Sequence, residues 1–268
     1  MSERRNYWVA LDGLRGVAVA LVILYHFGAP IGSGGYLGVD LFFVISGCVV
    51  TAALRRSMAQ GDTLAEFFLR RVARLLPNLL LLLLAVLVWN TWDEGTFFTT
   101  RNAAVLAGLT QTYNIFTASN GIATLHLWSL SMEWQFYLLL PMLLPVFCVR
   151  GLSSGVRWAV CMAVLSIVLR PILEFVFGAS PIHIYLWPIT RLDDLMLGVT
   201  VALLVAQGRY LSSPWLAATA VWGLVGALLF APRWFRSPDA SLFVVMPLVA
   251  VAGFIVVWSA ASSGPGRY

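Results

Sequence analysis

Long apolar runs, separated by short polar or glycine-containing segments, repeat along the whole chain. About eight of these runs approach the roughly 20 residues that an α-helix needs to cross a bilayer. The short alternating segments of a membrane β-barrel are absent from the sequence. We therefore predict an all-α fold, a polytopic transmembrane helical bundle in which residues 1–268 form a single domain. The predicted spans are 7–27, 37–54, 75–92, 127–149, 156–177, 184–206, 214–231 and 242–261.

One further apolar segment, residues 103–116, decides the predicted topology. It is too short for a full span, so we expect an interfacial or re-entrant helix there. With the N-terminus in the cytoplasm, this choice puts most arginines on the cytoplasmic side, as the positive-inside rule requires. If the segment crossed the membrane instead, Arg150, Arg157 and Arg209 would move outside.

Composition excludes an ordinary soluble enzyme. Hydrophobic residues make up 60% of the chain and charged residues only 11%, whereas soluble domains carry about 25% charged residues. The 17 basic residues are all arginine, and many flank apolar runs. We therefore expect a lipid bilayer, and not a nucleic acid, as the partner of these charges. Because the three cysteines and three histidines lack metal-ligand spacing, we expect no metal site.

Ionisable residues inside the apolar runs are the main functional signal, since each is costly at mid-membrane. The first predicted span carries Asp12, Arg15 and His26. The eleven steps from Arg15 to His26 return to within about 20° of the same helix face, about 16 Å further along. The three residues thus form a polar stripe that marks a candidate site. Alternatively, Asp12 and Arg15 are a buried ion pair that fixes helix packing, and His26 is a core histidine.

Asp40 lies near the start of the second span, and only a short loop separates it from His26. A helical hairpin would bring the two side chains together, and a carboxylate beside an imidazole fixes its tautomer and raises its basicity. The alternative is that Asp40 only caps the second helix.

Three arginines lie on an amphipathic stretch, residues 64–75, predicted at the cytoplasmic face. Arg71 and Arg74 share one helix face, and Arg70 and Arg74 are also neighbours. Clustered guanidinium groups suit phosphate groups. Anionic lipid headgroups are the alternative ligand, and spacing alone favours them.

Two more polar positions interrupt later spans. Glu133 lies about two turns below the predicted outer surface, so it needs a partner from another helix or stays protonated. Arg191 and Asp193, next to Asp194, form a cluster that we interpret as structural. Arg170 and Glu174 have the spacing of a helical ion pair. These features fit either an enzyme that acts across the membrane or a transporter.

Four ordered motifs resemble those of the integral-membrane acyltransferase family three, and a weaker match at residues 191–195 follows them. The resemblance covers residues 8 to about 200. The motifs are Leu11-Asp12-Gly13-Leu14-Arg15-Gly16 with His26-Phe27; Gly38-Val39-Asp40-Leu41-Phe42-Phe43-Val44-Ile45-Ser46-Gly47; Arg71-Val72-Ala73-Arg74; and Trp128-Ser129-Leu130-Ser131-Met132-Glu133 with Phe136-Tyr137 and Pro141.

The resemblance implies acyl transfer, commonly acetyl, from cytoplasmic acyl-CoA to a hydroxyl of a carbohydrate or lipid-linked acceptor in a bacterial inner membrane. It implies that Arg71 and Arg74, with Arg70, hold the CoA phosphates of the donor, without a bound cofactor. His26 would be the general base and Asp40 would orient it. Arg15 would stabilise developing negative charge or position the thioester, and Glu133 is the next candidate base.

The sequence departs from the family near its end. A late motif resembling I-S-Y-S-x-Y-L-x-H is absent, so we expect a domain that lacks the last spans of the family. The alternative function is a transporter-like or accessory membrane protein without catalysis. A covalent acyl-enzyme relay also stays open.

Overall fold

The computed structural model describes residues 8–28, 34–94, 100–116, 126–234 and 241–263. Within these ranges every regular element is helical, which confirms the predicted all-α class. The α-helices are α1 (Val9–His26), α2 (Gly38–Ala59), α3 (Leu64–Glu94), α4 (Thr100–Leu109), α5 (Tyr113–Phe116), α6 (Leu127–Phe147), α7 (Leu152–Phe175), α8 (Pro181–Leu186), α9 (Leu192–Ala206), α10 (Pro214–Trp234) and α11 (Met246–Ser262).

Six helices of the described residues are long and apolar enough to cross a membrane by length and composition. They contain α1, α2, α3, α6, α7 and α11. In α10 the apolar stretch Pro214–Leu229 is shorter. A multi-pass helical membrane protein is therefore confirmed.

The run 184–206 differs from its prediction as one continuous span. The structure divides it into α8, a 3-10 turn at Pro188–Thr190, and α9, which has only 15 residues. Pro188 has no backbone N–H to continue a helix, so the chain turns before α9 begins.

The short segment 103–116 falls in α4 and α5, neither of which is long enough to span. Its placement at the interface stays a prediction.

Helix α3 joins two regions that the sequence predicts separately. The amphipathic stretch and the third span form one helix of 31 residues that continues through Pro77. Thr63 and Glu66 start it with a capping box: the Thr63 N–H donates to Glu66 Oε2 (2.7 Å), and the Glu66 N–H donates to Thr63 Oγ1 (3.2 Å). The arginines of the first turns are therefore rigidly continuous with the span.

The chain divides into two compact units, which are described separately. The first comprises 1–52, 144–184 and 189–268. Its core contains buried side chains of α1, α2, α9 and α11, such as Leu11, Ile45 and Val257. Helices α2 and α9 touch backbone to backbone at Gly47 and Gly198, since a Cβ on Gly198 would lie 2.7 Å from the backbone nitrogen of Cys48. This close approach sets the polar residues of both helices side by side.

The second unit comprises 53–143 and 185–188. Helices α3 and α6 meet at Phe68 and Trp134, whose ring centroids lie 5.7 Å apart. Gln135 on α6 donates hydrogen bonds to the Gln111 carbonyl (2.8 Å) and to Asn114 Oδ1 (2.9 Å). The unit therefore holds α6 beside α5 and the arginine-bearing helix α3.

Candidate functional site

The three polar residues of the α1 stripe form one ion pair, between Asp12 and Arg15, and leave His26 with a different partner. The alternatives of a buried pair and a core histidine are wrong, because the ion pair is partly exposed and His26 is exposed. Arg15 Nη1 lies 3.6 Å from Asp12 Oδ1, and the Arg15 guanidinium carbon lies 5.9 Å from the Phe42 ring centroid. His26 Nδ1 lies 2.8 Å from the carbonyl oxygen of Val22. A carbonyl only accepts, so Nδ1 carries the proton and donates. The neutral ring then has its lone pair on Nε2, the nitrogen suited to accept a proton.

The predicted contact between His26 and Asp40 is wrong in this structure. Asp40 is fully buried, and its Oδ1 accepts a hydrogen bond from Arg191 Nη1 at 3.0 Å. It lies in the first turn of α2, inside the helix, so the capping alternative does not describe it either. A buried carboxylate needs a counter-charge, and Arg191 supplies one that His26, in the last turn of α1, does not. The helix's own Val22 carbonyl orients His26 instead.

Arg170 forms a second buried pair, with Asp193 and not with Glu174. Its Nη2 donates to both carboxylate oxygens of Asp193 at 2.6 Å. Its Nε donates to the Thr190 carbonyl at 2.9 Å, and its Nη1 to the Leu242 carbonyl at 3.1 Å. A fully buried guanidinium needs a partner for each of its donor nitrogens, and one carboxylate on its own helix does not provide them.

The two pairs form one buried charged network in the first unit. Arg191 Nη2 also lies 3.2 Å from Asp194 Oδ2, so two arginines face three aspartates, all fully buried. The positive charges of Arg170 and Arg191 are thus compensated by buried aspartates of the same unit. The geometry favours the structural role predicted for Arg191 and Asp193, and it adds Asp40 to that role.

In the second unit, Arg70 is held by the protein itself. Its Nη2 donates to Asp62 Oδ2 (2.5 Å) and to Ser57 Oγ (2.8 Å), and Ser57 Oγ donates to Asp62 Oδ2 (2.7 Å). The hydrogen bonds from Ser57 and Arg70 lower the pKa of the Asp62 carboxyl below its usual value. Arg70 therefore links the end of α2 to the start of α3.

Arg71 has aromatic neighbours where Arg70 has a carboxylate. Its guanidinium carbon lies 3.6 Å from the Phe67 ring centroid and 5.5 Å from that of Tyr137, and its Nη1 donates to the Phe67 carbonyl at 3.2 Å. Arg74, one turn further, is exposed. No ion pair among the described residues involves Arg71 or Arg74. Both are thus able to receive an anionic ligand.

Glu133 is buried on α6 and accepts a hydrogen bond from the hydroxyl of Tyr137. Neither Tyr137, which lies in one of the family motifs, nor Phe67 has a role predicted from the sequence. The signal was present, because Glu133 and Tyr137 are four residues apart, as are Phe67 and Arg71, so each pair shares a helix face.

These features define a class of protein: a multi-pass helical membrane protein with one buried network in which each arginine has an aspartate partner, and a second arginine cluster in which Arg71 and Arg74 form no ion pair with any described residue. The chain belongs to acyltransferase family three, because the model of that family, described as an acyltransferase domain, matches residues 8–267. The resemblance found in the motifs is thereby confirmed.

Curated relatives carry matching names. The chain is 32% identical over 209 residues to O-acetyltransferase OatA of Staphylococcus aureus (strain NCTC 8325 / PS 47), covering 74% of this chain and 34% of the relative. It is 30% identical over 247 residues to a protein of Staphylococcus aureus (strain MSSA476) named a putative O-acetyltransferase, covering 85% of this chain and 40% of that relative. The chain thus spans about a third of the length of these relatives. No solved structure matches the chain significantly.

Proposed function

We propose that this chain transfers an acyl group, specifically acetyl, from cytoplasmic acyl-CoA to a hydroxyl of a carbohydrate or lipid-linked acceptor. The acceptor lies at or across the bacterial inner membrane, and the N-terminus lies in the cytoplasm. Family membership and the names of the relatives support O-acetyl transfer. The excess of arginines on the predicted cytoplasmic side supports the orientation.

The observation that carries the proposal is the presence on α3 of two arginines, Arg71 and Arg74, that form no ion pair with any described residue. Arg71 is fixed against the Phe67 ring, so its remaining N–H groups keep a constant direction. A guanidinium fork fits phosphate oxygens with two parallel hydrogen bonds. Arg71 and Arg74 are the phosphate-binding residues for the CoA donor, and Arg70 is the brace that fixes the start of α3.

The reaction needs a general base and an environment around the thioester from which water is excluded. His26 Nε2 takes the proton of the acceptor hydroxyl as that oxygen attacks the thioester carbonyl. The C–S bond then breaks, and CoA leaves as the thiolate. Arg15, about 16 Å from His26 along the same helix face, positions the donor arm that carries the thioester. The apolar helices exclude water, which otherwise hydrolyses the thioester.

The test uses membrane vesicles that contain the full chain and its native membrane carbohydrate. Radiolabelled acetyl-CoA is added to inverted vesicles, which expose the cytoplasmic face, and to right-side-out vesicles. We expect alkali-labile label on carbohydrate, with release of CoA, in the inverted vesicles only. Absence of label from both preparations, with the protein folded and abundant, contradicts the proposal and favours the accessory or transporter-like alternative. Transfer in right-side-out vesicles alone reverses the proposed orientation.

A further inference from the structure

Tyr137 touches the charged groups of two helices. On α6 its hydroxyl donates to Glu133 Oε1, one turn earlier, and both side chains are buried. Toward α3 its ring centroid lies 5.5 Å from the guanidinium carbon of Arg71, within the range of a cation–π contact. The hydrogen bond fixes the Tyr137 ring, and this ring forms one wall of the space that the Arg71 guanidinium occupies.

The second wall is Phe67, which is fully buried on α3. Its ring centroid lies 3.6 Å from the Arg71 guanidinium carbon. Since no ion pair of the described residues involves Arg71, its direction depends on these two rings and on its own helix. Glu133 forms no ion pair with Arg71, but its hydrogen bond to Tyr137 orients one of the rings against which the guanidinium lies.

We propose that Glu133 and Tyr137 are positioning residues for the donor: Glu133 holds Tyr137, and Tyr137 holds Arg71 in the direction that binds phosphate. This role rests on the proposed function, in which Arg71 binds the CoA phosphates. It removes Glu133 from the candidate bases. An extended pantetheine arm, longer than the roughly 10 Å width of a helix, separates the CoA phosphates from the thioester. Glu133 is separated from the proposed phosphate site by Tyr137 alone, so it lies near the phosphate end of the donor. Proton transfer takes place at the thioester end.

Conservative substitutions separate the two roles of Glu133. In Glu133→Gln the amide oxygen still accepts the tyrosine hydrogen bond, so the kcat and the donor KM stay within about twofold of wild type. A general base replaced by an amide instead loses about 10²- to 10⁴-fold in kcat. Glu133→Ala removes the acceptor, and the donor KM rises with little change in kcat.

Substitutions of Tyr137 should raise the donor KM to different extents. Tyr137→Leu removes one cation–π wall and raises the donor KM about two- to fivefold. Tyr137→Phe keeps the ring but frees it from Glu133, so the donor KM rises by no more than in Tyr137→Leu. In an Arg71→Ala background the tyrosine substitutions have no further effect on donor KM. Phe68→Leu is the matched control: it breaks an aromatic contact between the same two helices and leaves the donor KM unchanged.

The experiment measures kcat and donor KM in inverted vesicles, and binding of coenzyme A itself to the detergent-solubilised full chain by equilibrium dialysis. The expected results are wild-type kcat in Glu133→Gln and weaker coenzyme A binding in Tyr137→Leu. A kcat loss of about 10²-fold in Glu133→Gln, or unchanged binding in Tyr137→Leu, overturns the positioning role. Equal effects of Phe68→Leu and Tyr137→Leu overturn it as well. Wild type that neither transfers acetate nor binds coenzyme A overturns the proposed function itself.

Discussion

The arginines of the two units differ in what surrounds their guanidinium groups. Arg170 and Arg191 are fully buried, and each lies within 3.2 Å of an aspartate oxygen. Arg71 and Arg74 belong to no ion pair among the described residues, and Arg71 lies against aromatic rings instead. The first two charges are neutralised within the fold, whereas the other two have no ion-pair partner among the described residues, as the proposed phosphate site requires. All four are arginines in or beside apolar runs, so the residue type alone does not distinguish them.

The difference follows from the cost of burying charge. A guanidinium inside a membrane protein needs a counter-charge and partners for its donors, and the network of Arg170 supplies both. A guanidinium that binds a substrate anion has to lack that counter-charge, because a resident carboxylate competes with the phosphate. Aromatic rings fix its direction without neutralising it. Arg70 is intermediate, since it lies on the same helix as Arg71 and Arg74 but is paired with Asp62.

The largest expected effect is on the free energy of unfolding and concerns the buried pair Arg170–Asp193. Arg170→Ala leaves Asp193 buried without its counter-charge and costs about 3–5 kcal/mol of folding free energy. The double variant Arg170→Met/Asp193→Leu removes both charges and recovers most of this loss. The measurement is thermal unfolding of the detergent-solubilised protein. Equal destabilisation in the single and double variants would show that the pair itself, and not the orphaned charge, matters.

Substitution of Arg71 or Arg74 should instead weaken donor binding and leave the stability of the fold nearly unchanged. Arg71→Ala and Arg74→Ala remove charged hydrogen bonds to the donor phosphates, each worth about 1.5–3 kcal/mol, and raise the donor KM roughly ten- to a hundredfold. The unfolding temperature stays near that of wild type. Arg56→Ala, an exposed arginine at the end of α2, is the control with unchanged KM. A normal donor KM in both variants would favour lipid headgroups as the ligand.

The smallest expected effect concerns the brace at Arg70. Its partner Asp62 has a pKa below its usual value, because the folded protein donates hydrogen bonds to the ionised carboxylate. A group with a lowered pKa stabilises the fold above the pKa of the unfolded state, and this stabilisation is lost as the pH falls through the folded pKa. Acid therefore lowers the unfolding temperature of wild type more than that of Asp62→Asn. Ser57→Ala, which removes the first of these hydrogen bonds, should give an intermediate response. Identical acid profiles in all three proteins would contradict the brace.

The sequence was sufficient for six of the predicted spans and for one ion pair within a helix. Hydrophobicity predicts these spans because a bilayer requires about 20 apolar residues, and the spacing of Asp12 and Arg15 predicts their ion pair. Pro77 did not end α3, since membrane helices tolerate proline where their surroundings satisfy the freed backbone groups.

Contacts between distant segments could not be predicted in this way. Asp40 pairs with Arg191, which lies 151 residues later in the chain, and not with His26 across the nearest loop. Arg170 likewise prefers Asp193 on another helix to Glu174 on its own. Local spacing says which residues share a face, but the choice of a buried partner depends on helix packing, here the close approach of α2 and α9 at two glycines.

The most direct test of the central claim, acyl transfer with a base on α1, compares His26→Gln with wild type. Both are assayed in inverted vesicles at equal membrane abundance, with excess acetyl-CoA and native carbohydrate acceptor, and ester-linked acetate is measured. Glutamine retains hydrogen bonding but does not accept the hydroxyl proton, so we predict a fall in turnover of about 10²- to 10⁴-fold with an unchanged unfolding temperature. Turnover near that of wild type would contradict the account and remove His26 as the base.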